Sequence, residues 1–242
     1  MMMKQILLIT DGCSNVGVSP VIAAAQAQAE GVAVNVIGVI DHGELGVLGS
    51  EEIREIAAAG GGMSRIVNSE QLSHTVQMMT RKTVNATIQH AVGKELQSIL
   101  GISQLEQLPP EKRAEVVQVI DNMSETTSLR VALLIDASAS MKPKLAAVRE
   151  AIHDLLLSLR ARSGVSELAV FHFPSTKSSD QELEMDHGWT NQLANVDKMF
   201  YKINMKGTTP TGPALLQTLQ FVTEKPFSPK TTEEGMLSDY VV

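Results

Sequence analysis

Two unbroken apolar runs, Ile6-Leu7-Leu8-Ile9 and Val131-Ala132-Leu133-Leu134-Ile135, are each followed within two residues by an aspartate, Asp11 and Asp136. A strand without alternation of polar and apolar positions has both faces covered, the condition of a parallel strand between two helical layers. The carboxylates then project from the carboxyl edge of the sheet, where loops of neighbouring strands meet.

The surrounding segments alternate strand and helix. Ser19 and Pro20 offer an N-cap and a first-turn proline to an Ala-rich helix that stops at Gly31. Val32 to Ile40 reads as a second strand and Glu51 to Ala59 as a helix closed by Gly60-Gly61-Gly62. Ser64 to Val67 reads as a third strand, with a helix from about Gln71. In the second half, Leu129 to Ile135 is a strand, and Lys144 to Arg162 is a helix that Gly164 stops. Glu167 to Phe173 is another strand, and Leu183 to Trp189 its antiparallel edge neighbour. Asn191 to Ile203 and Pro213 to Thr223 are expected to be helical. This alternation predicts an α/β fold, a mostly parallel sheet covered by helices.

Between the halves, residues 76–127 read as a helical connector. Leu72, Val76, Met79, Val84, Ile88, Val92, Leu96 and Ile99 keep a helical spacing, and Pro109-Pro110 opens a second helix carrying Val116, Val117, Ile120 and Met123. The expected division is residues 1–75, the connector, residues 128–224 completing the same fold, and a flexible tail over 225–242.

Composition narrows the function. Net charge is −7 without a basic block, which argues against a nucleic-acid surface. Cys13 is the single cysteine, so a disulfide framework or Cys-based zinc site within the chain is excluded. Met1 to Lys4 lacks the pattern of a signal peptide, and no apolar stretch approaches the roughly 20 residues of a membrane span. The expectation is a cytoplasmic protein bound to neither membrane nor nucleic acid.

Asp136-Ala137-Ser138-Ala139-Ser140 places two hydroxyls beside a carboxylate in one loop. Thr209, in Gly207-Thr208-Thr209-Pro210-Thr211-Gly212, adds a third hydroxyl before a helical pattern, and Asp11 a second carboxylate. All are hard oxygen donors, a set that selects Mg²⁺, Mn²⁺ or Ca²⁺ over zinc or copper. Such a set does not saturate an octahedral ion, so one position is left for a carboxylate supplied by a partner.

These three motifs together resemble the metal-ion-dependent adhesion site (MIDAS) of von Willebrand factor type A (VWA) domains. The resemblance covers about residues 4–75 and 128–224. It implies a Rossmann-like, doubly wound, mostly parallel six-stranded sheet, here with an added helical hairpin. It also implies Asp136, Ser138, Ser140 and Thr209 as metal-facing residues, with Asp11 acting directly or through a water. The family pattern resembles Gly-Gly-Thr-x-Thr-Gly, from which Thr208 departs at the second position. In the family the Thr-Asp-Gly element comes last, whereas Thr10-Asp11-Gly12 comes first here, so the domain reads as circularly permuted. The connector then joins the old end to the old start, within a monomer or, by exchange between chains, a domain-swapped dimer.

The function implied is a divalent-metal-dependent adaptor or regulatory module that engages an Asp or Glu of a partner protein. The alternative is a metal-assisted hydrolase or phosphoryl-transfer enzyme in which Asp136 coordinates the ion and Asp11 positions water. Gly60-Gly61-Gly62 lacks phosphate-loop spacing and reads as a helix C-cap and turn. Cys13 reads as a small packed side chain, His153 and His172 as structural, and Lys142 and Lys144 as cations bordering the Asp136 loop.

Overall fold

The apolar runs occupy the middle of a sheet whose side-chain alternation sends strand residues into two core layers. The computed structural model describes residues 2–12, 14–40, 47–101, 107–175, 182–192 and 208–224. The first half comprises β1 (Met2–Thr10), α1 (Pro20–Ala29), β2 (Ala33–Val39), α2 (Val47–Ala59) and β3 (Gly61–Val67). Helices α3 (Leu72–Leu100) and α4 (Pro110–Thr126) follow. The second half comprises β4 (Ser128–Asp136), α5 (Leu145–Arg160), β5 (Ser166–Phe173), β6 (Glu184–Thr190) and α6 (Thr211–Thr223).

Among the described residues the strand order is β3-β2-β1-β4-β5-β6, parallel throughout except for the antiparallel edge pair β5 and β6. The two halves meet where β1 pairs with β4, Leu7 opposite Leu133 and Ile9 opposite Ile135. That junction is the point at which the chain's direction of travel across the sheet reverses, and loops diverging from it leave a crevice. The expected doubly wound, Rossmann-like architecture is the one observed.

Alternate residues of each strand feed opposite layers. Leu7, Ile9, Leu133, Ile135 and Val170 pack under α3 and α5. Ile6, Leu8, Leu134, Phe171 and Phe173 pack under α1, α2 and α6. Small residues let α1 lie close: Ala23, Ala24 and Ala27 are its buried face.

The connector joins the first of these layers. Leu72, Val76, Met79, Val84 and Ile88 of α3 are buried with α5 and the sheet, so the helix covers strands from both halves. Its apolar spacing outruns the core: Ile99 is 74% exposed, as is 45% of Val117 on α4. A helical pattern reports one face of a helix, and the length of the sheet decides how much of that face is covered.

Four local expectations are corrected. Ser19 precedes α1 but makes no side-chain capping bond. Helix α5 ends at Arg160, so Gly164 does not stop it. Gly164 is required instead because a Cβ there would lie 2.4 Å from the Thr126 carbonyl oxygen, where the turn crosses the end of α4. The glycine triplet closes α2 only through Gly60, while Gly61 and Gly62 belong to β3. A Cβ on Gly62 would fall 2.1 Å from the Val34 carbonyl oxygen, so β3 approaches β2 more closely than any side chain allows. Helix α2 also begins earlier than expected, at Val47. The helix expected over Asn191 to Ile203, apart from residues 191 and 192, and the tail over 225–242 lie outside the described residues, as does Cys13.

A polar knot ties α3 to the first half. Buried Asn35 of β2 donates from Nδ2 to Gln5 Oε1 (3.1 Å). Its Oδ1 accepts from the Met63 N–H (2.9 Å) and the Thr83 hydroxyl (2.9 Å). Asn35→Ala strands those partners without water, and we expect a loss of about 3 kcal/mol of stability in a denaturant titration.

Candidate metal centre

Strands β1 and β4 end side by side, and their registry brings the two carboxylates to one edge of the sheet. Asp136 is the last residue of β4 and is 0% exposed. Its Oδ2 accepts the Thr10 hydroxyl at 2.8 Å and its Oδ1 accepts the Ser138 N–H at 2.8 Å. From there the polar groups form a chain. The Ser138 and Ser140 hydroxyls lie 3.1 Å apart, and Ser140 donates to Asp11 Oδ1 at 2.8 Å. Residues 126 and more apart in sequence thus close one cluster, Thr10, Asp11, Asp136, Ser138 and Ser140.

The third motif arrives through the backbone. The Thr209 N–H donates to Asn15 Oδ1 (2.8 Å) and its carbonyl accepts the Asn15 N–H (3.2 Å), which seats Thr209 against the loop that follows Asp11. Two glycines permit that contact. A Cβ on Gly212 would lie 1.9 Å from the Val18 carbonyl oxygen, and Gly17, at φ +86°, lies beneath Pro213. The same loop is propped from α2, where Glu52 Oε2 accepts the Ser14 N–H at 2.8 Å. Burial raises the Glu52 pKa, the Ser14 bond lowers it, and Glu55 raises it further.

Electrostatics single out Asp136. Removal from water raises its pKa above the usual carboxylate value, against the lowering effect of the Ser138 and Thr10 hydrogen bonds, and Asp11 raises it further. Among the described residues no basic side chain forms an ion pair with it. A buried carboxylate held only by neutral donors is costly while ionised, and a cation beside it would offset that cost. Asp11 differs, because Lys144 Nζ lies 2.5 Å from its Oδ2.

The cluster's donor set is therefore one uncompensated carboxylate with two hydroxyls beside it and Thr209 on the adjoining loop, all hard oxygen. That chemistry fits Mg²⁺, Mn²⁺ or Ca²⁺. Among the described residues no three His, Cys, Asp or Glu side chains gather as a metal-binding group. Asp11, Asp136, Ser138 and Ser140 are linked by hydrogen bonds, whereas Thr209 is fastened through Asn15 to the loop that follows Asp11. Asn15 and the Lys144 contact were not picked out from the sequence, and Thr10 entered only as part of the Thr10-Asp11-Gly12 element, without a role at the site. Thr10 carried a signal in hindsight, since a hydroxyl ending a buried strand needs a partner at that edge. His172, read as structural, is buried on β5 with Nδ1 2.7 Å from Asp186 of β6, which fastens the edge strand.

No family model matches the chain. It is 46% identical over 239 residues to the "Uncharacterized protein YabS" of Bacillus subtilis (strain 168), covering 98% of this chain and 94% of that protein. A crystal structure of an uncharacterized protein from Alicyclobacillus acidocaldarius superposes with a TM-score of 0.84 at 39% identity, over 92% of this chain and 94% of that one. Proximal thread matrix protein 1 from the mussel byssus, with a zinc-occupied MIDAS motif, aligns at 16% identity over 85% of this chain and 43% of that one. Its TM-score of 0.27 is too low to bear on this fold. No helix among the described residues is long and apolar enough to cross a membrane.

Proposed function

The chain belongs to the family of Bacillus subtilis YabS, and we propose that it is a divalent-metal-dependent protein-binding module of VWA type with its two halves exchanged. The observation that carries this reading is Asp136, a fully buried carboxylate that accepts the Thr10 hydroxyl and the Ser138 N–H beside the Ser138–Ser140 hydroxyl pair and, among the described residues, is held by no cationic side chain. Asp136, Ser138, Ser140 and Thr209 would hold the ion, and Asp11 would act behind Ser140. The ion, when bound, supplies a Lewis-acidic position that an acidic side chain of a partner completes. Among the described residues the cluster's hydrogen-bond chain contains no histidine or third carboxylate to move a proton, which favours recognition over hydrolysis.

The sheet supports the exchange of halves. Numbered from β4, the order β3-β2-β1-β4-β5-β6 becomes 6-5-4-1-2-3, the same arrangement read from the opposite edge. Either half can therefore come first in the chain without changing a strand neighbour, provided that a connector joins the old ends. Residues 76–127 are that connector in this reading.

Affinity capture from native extract tests the function. With Mg²⁺ present the wild type is expected to retain a protein that is released by EDTA and absent from Asp136→Ala captures. Retention by Asp136→Ala, or indifference to EDTA, would overturn the reading.

A pH dependence follows as well. The folded protein raises the Asp136 pKa above its value of 3.8 in the unfolded chain, so folding favours the protonated acid. The ion-free protein therefore loses this contribution as pH rises from the unfolded pKa through the folded one. A cation binds only the carboxylate. The increase in Tm produced by Mn²⁺ is expected to be near zero at about pH 4 and to reach several degrees near pH 7.5. A Mn²⁺ effect independent of pH would count against Asp136 as the ligand.

A further inference from the structure

Lys144 stands where local rules disfavour it. It is the N-cap residue of α5, at the end of a 3₁₀ turn spanning Ala139–Lys144, and a cation at a helix N-terminus opposes the partial positive charge there. Its side chain is nevertheless only 11% exposed, against an Asp11 side chain that is 3% exposed, with 2.5 Å between Nζ and Oδ2. A lysine chosen for solubility would extend into water. The pairing across 133 residues of sequence is what holds it in place.

The other Asp11 oxygen already accepts the Ser140 hydroxyl, so both oxygens of that carboxylate are engaged within the protein. Among the described residues the charge count of the cluster is then simple. Asp136 contributes −1, while Asp11 and Lys144 cancel. A divalent ion beside Asp136 keeps an excess of +1, whereas two free carboxylates would neutralise it.

We infer that Lys144 lowers the centre's affinity for a free cation by neutralising Asp11, and so leaves the bound ion charged enough to take a carboxylate from a partner. This inference rests on the metal-binding reading of Asp136. Lys144 is a positioning and charge-setting residue under this scheme and touches neither ion nor partner. Metal and partner bind cooperatively as a result, because each supplies the charge that the other lacks.

The test is a calorimetric titration of the full chain with Mn²⁺ alone, at fixed ionic strength. Lys144→Met and Lys144→Gln are expected to bind Mn²⁺ at least roughly tenfold more tightly than wild type, the scale of a unit charge removed about 6 Å from a divalent ion even at a dielectric near that of water. Lys144→Arg keeps the charge and is expected to retain the wild-type value, as is Arg149→Met, which removes an exposed cation one turn further along α5. Near-UV circular dichroism of each variant checks that the fold persists. If both neutral variants bind Mn²⁺ no more tightly than wild type while Asp136→Ala has lost binding, the role of Lys144 is refuted and the metal centre stands. If Asp136→Ala binds as wild type does, the centre itself is refuted, and the inference falls with it. Should the neutral variants unfold, a tightening in Lys144→Arg would still contradict the inference, because the charge is unchanged.

Discussion

Asp136→Asn is expected to abolish cation-dependent stabilisation and to raise the stability of the ion-free protein. The two effects have one cause. The carboxylate is 0% exposed and burial raises its pKa, so at neutral pH its ionised form costs the fold free energy. Asparagine keeps the shape and removes the charge. Its carbonyl can accept the Ser138 N–H, and its amide can donate to a rotated Thr10 hydroxyl, so both of these groups keep a partner. A gain of about 1 kcal/mol without added metal is expected from this exchange. Against it, an ion at about one hundred times its Kd stabilises the wild type by about 2.7 kcal/mol, and the variant forfeits that. Thermal unfolding with and without Mn²⁺ reads both changes. A variant less stable than wild type in EDTA would mean that the charge is matched by the protein itself.

Gly212→Ala carries the second large effect. The added Cβ would lie 1.9 Å from the Val18 carbonyl oxygen and 3.1 Å from the Pro20 backbone nitrogen, and neither can yield as a flexible side chain can. The loop bearing Thr209 must move away from the loop after β1, breaking the paired backbone and Asn15 bonds that seat it. We expect a loss of about 3 kcal/mol, in the range of overpacking against rigid backbone. Mn²⁺ binding is expected to weaken in parallel, since in the proposed centre Thr209 is held beside the cluster only through the Asn15 loop. Gly188→Ala, on the edge strand with nothing within 4 Å, serves as the control and is expected to change stability by less than about 1 kcal/mol.

How much of this was legible in the chain depended on the range of each interaction. The central strands declared themselves because an apolar run with no alternation has only one environment that suits it, and both aspartates inherit their edge position from those runs. Ser138 and Ser140 follow from Asp136 by local spacing. Thr10, Asn15 and Lys144 reach partners 126, 194 and 133 residues away, and nothing within a short window of sequence announces such a pair. Gly164 was misread for the same reason, since the backbone it must avoid belongs to the end of α4. The connector's periodicity was clear, but its destination was not: burial of Val76 and Met79 beside exposure of Ile99 is set by where the sheet stops. The layer formed by α3 and α5 therefore emerges only once strands from both halves are assembled.

The most direct test is a crystal of the protein grown with Mn²⁺ and measured at a wavelength where manganese scatters anomalously. The expected map shows one peak in bonding contact, within about 2.5 Å, of the Asp136, Ser138 and Ser140 side-chain oxygens, with Thr209 facing it. A peak elsewhere, or a bound-ion map empty at the ends of β1 and β4 while Asp136 keeps its buried hydrogen bonds, would contradict the account.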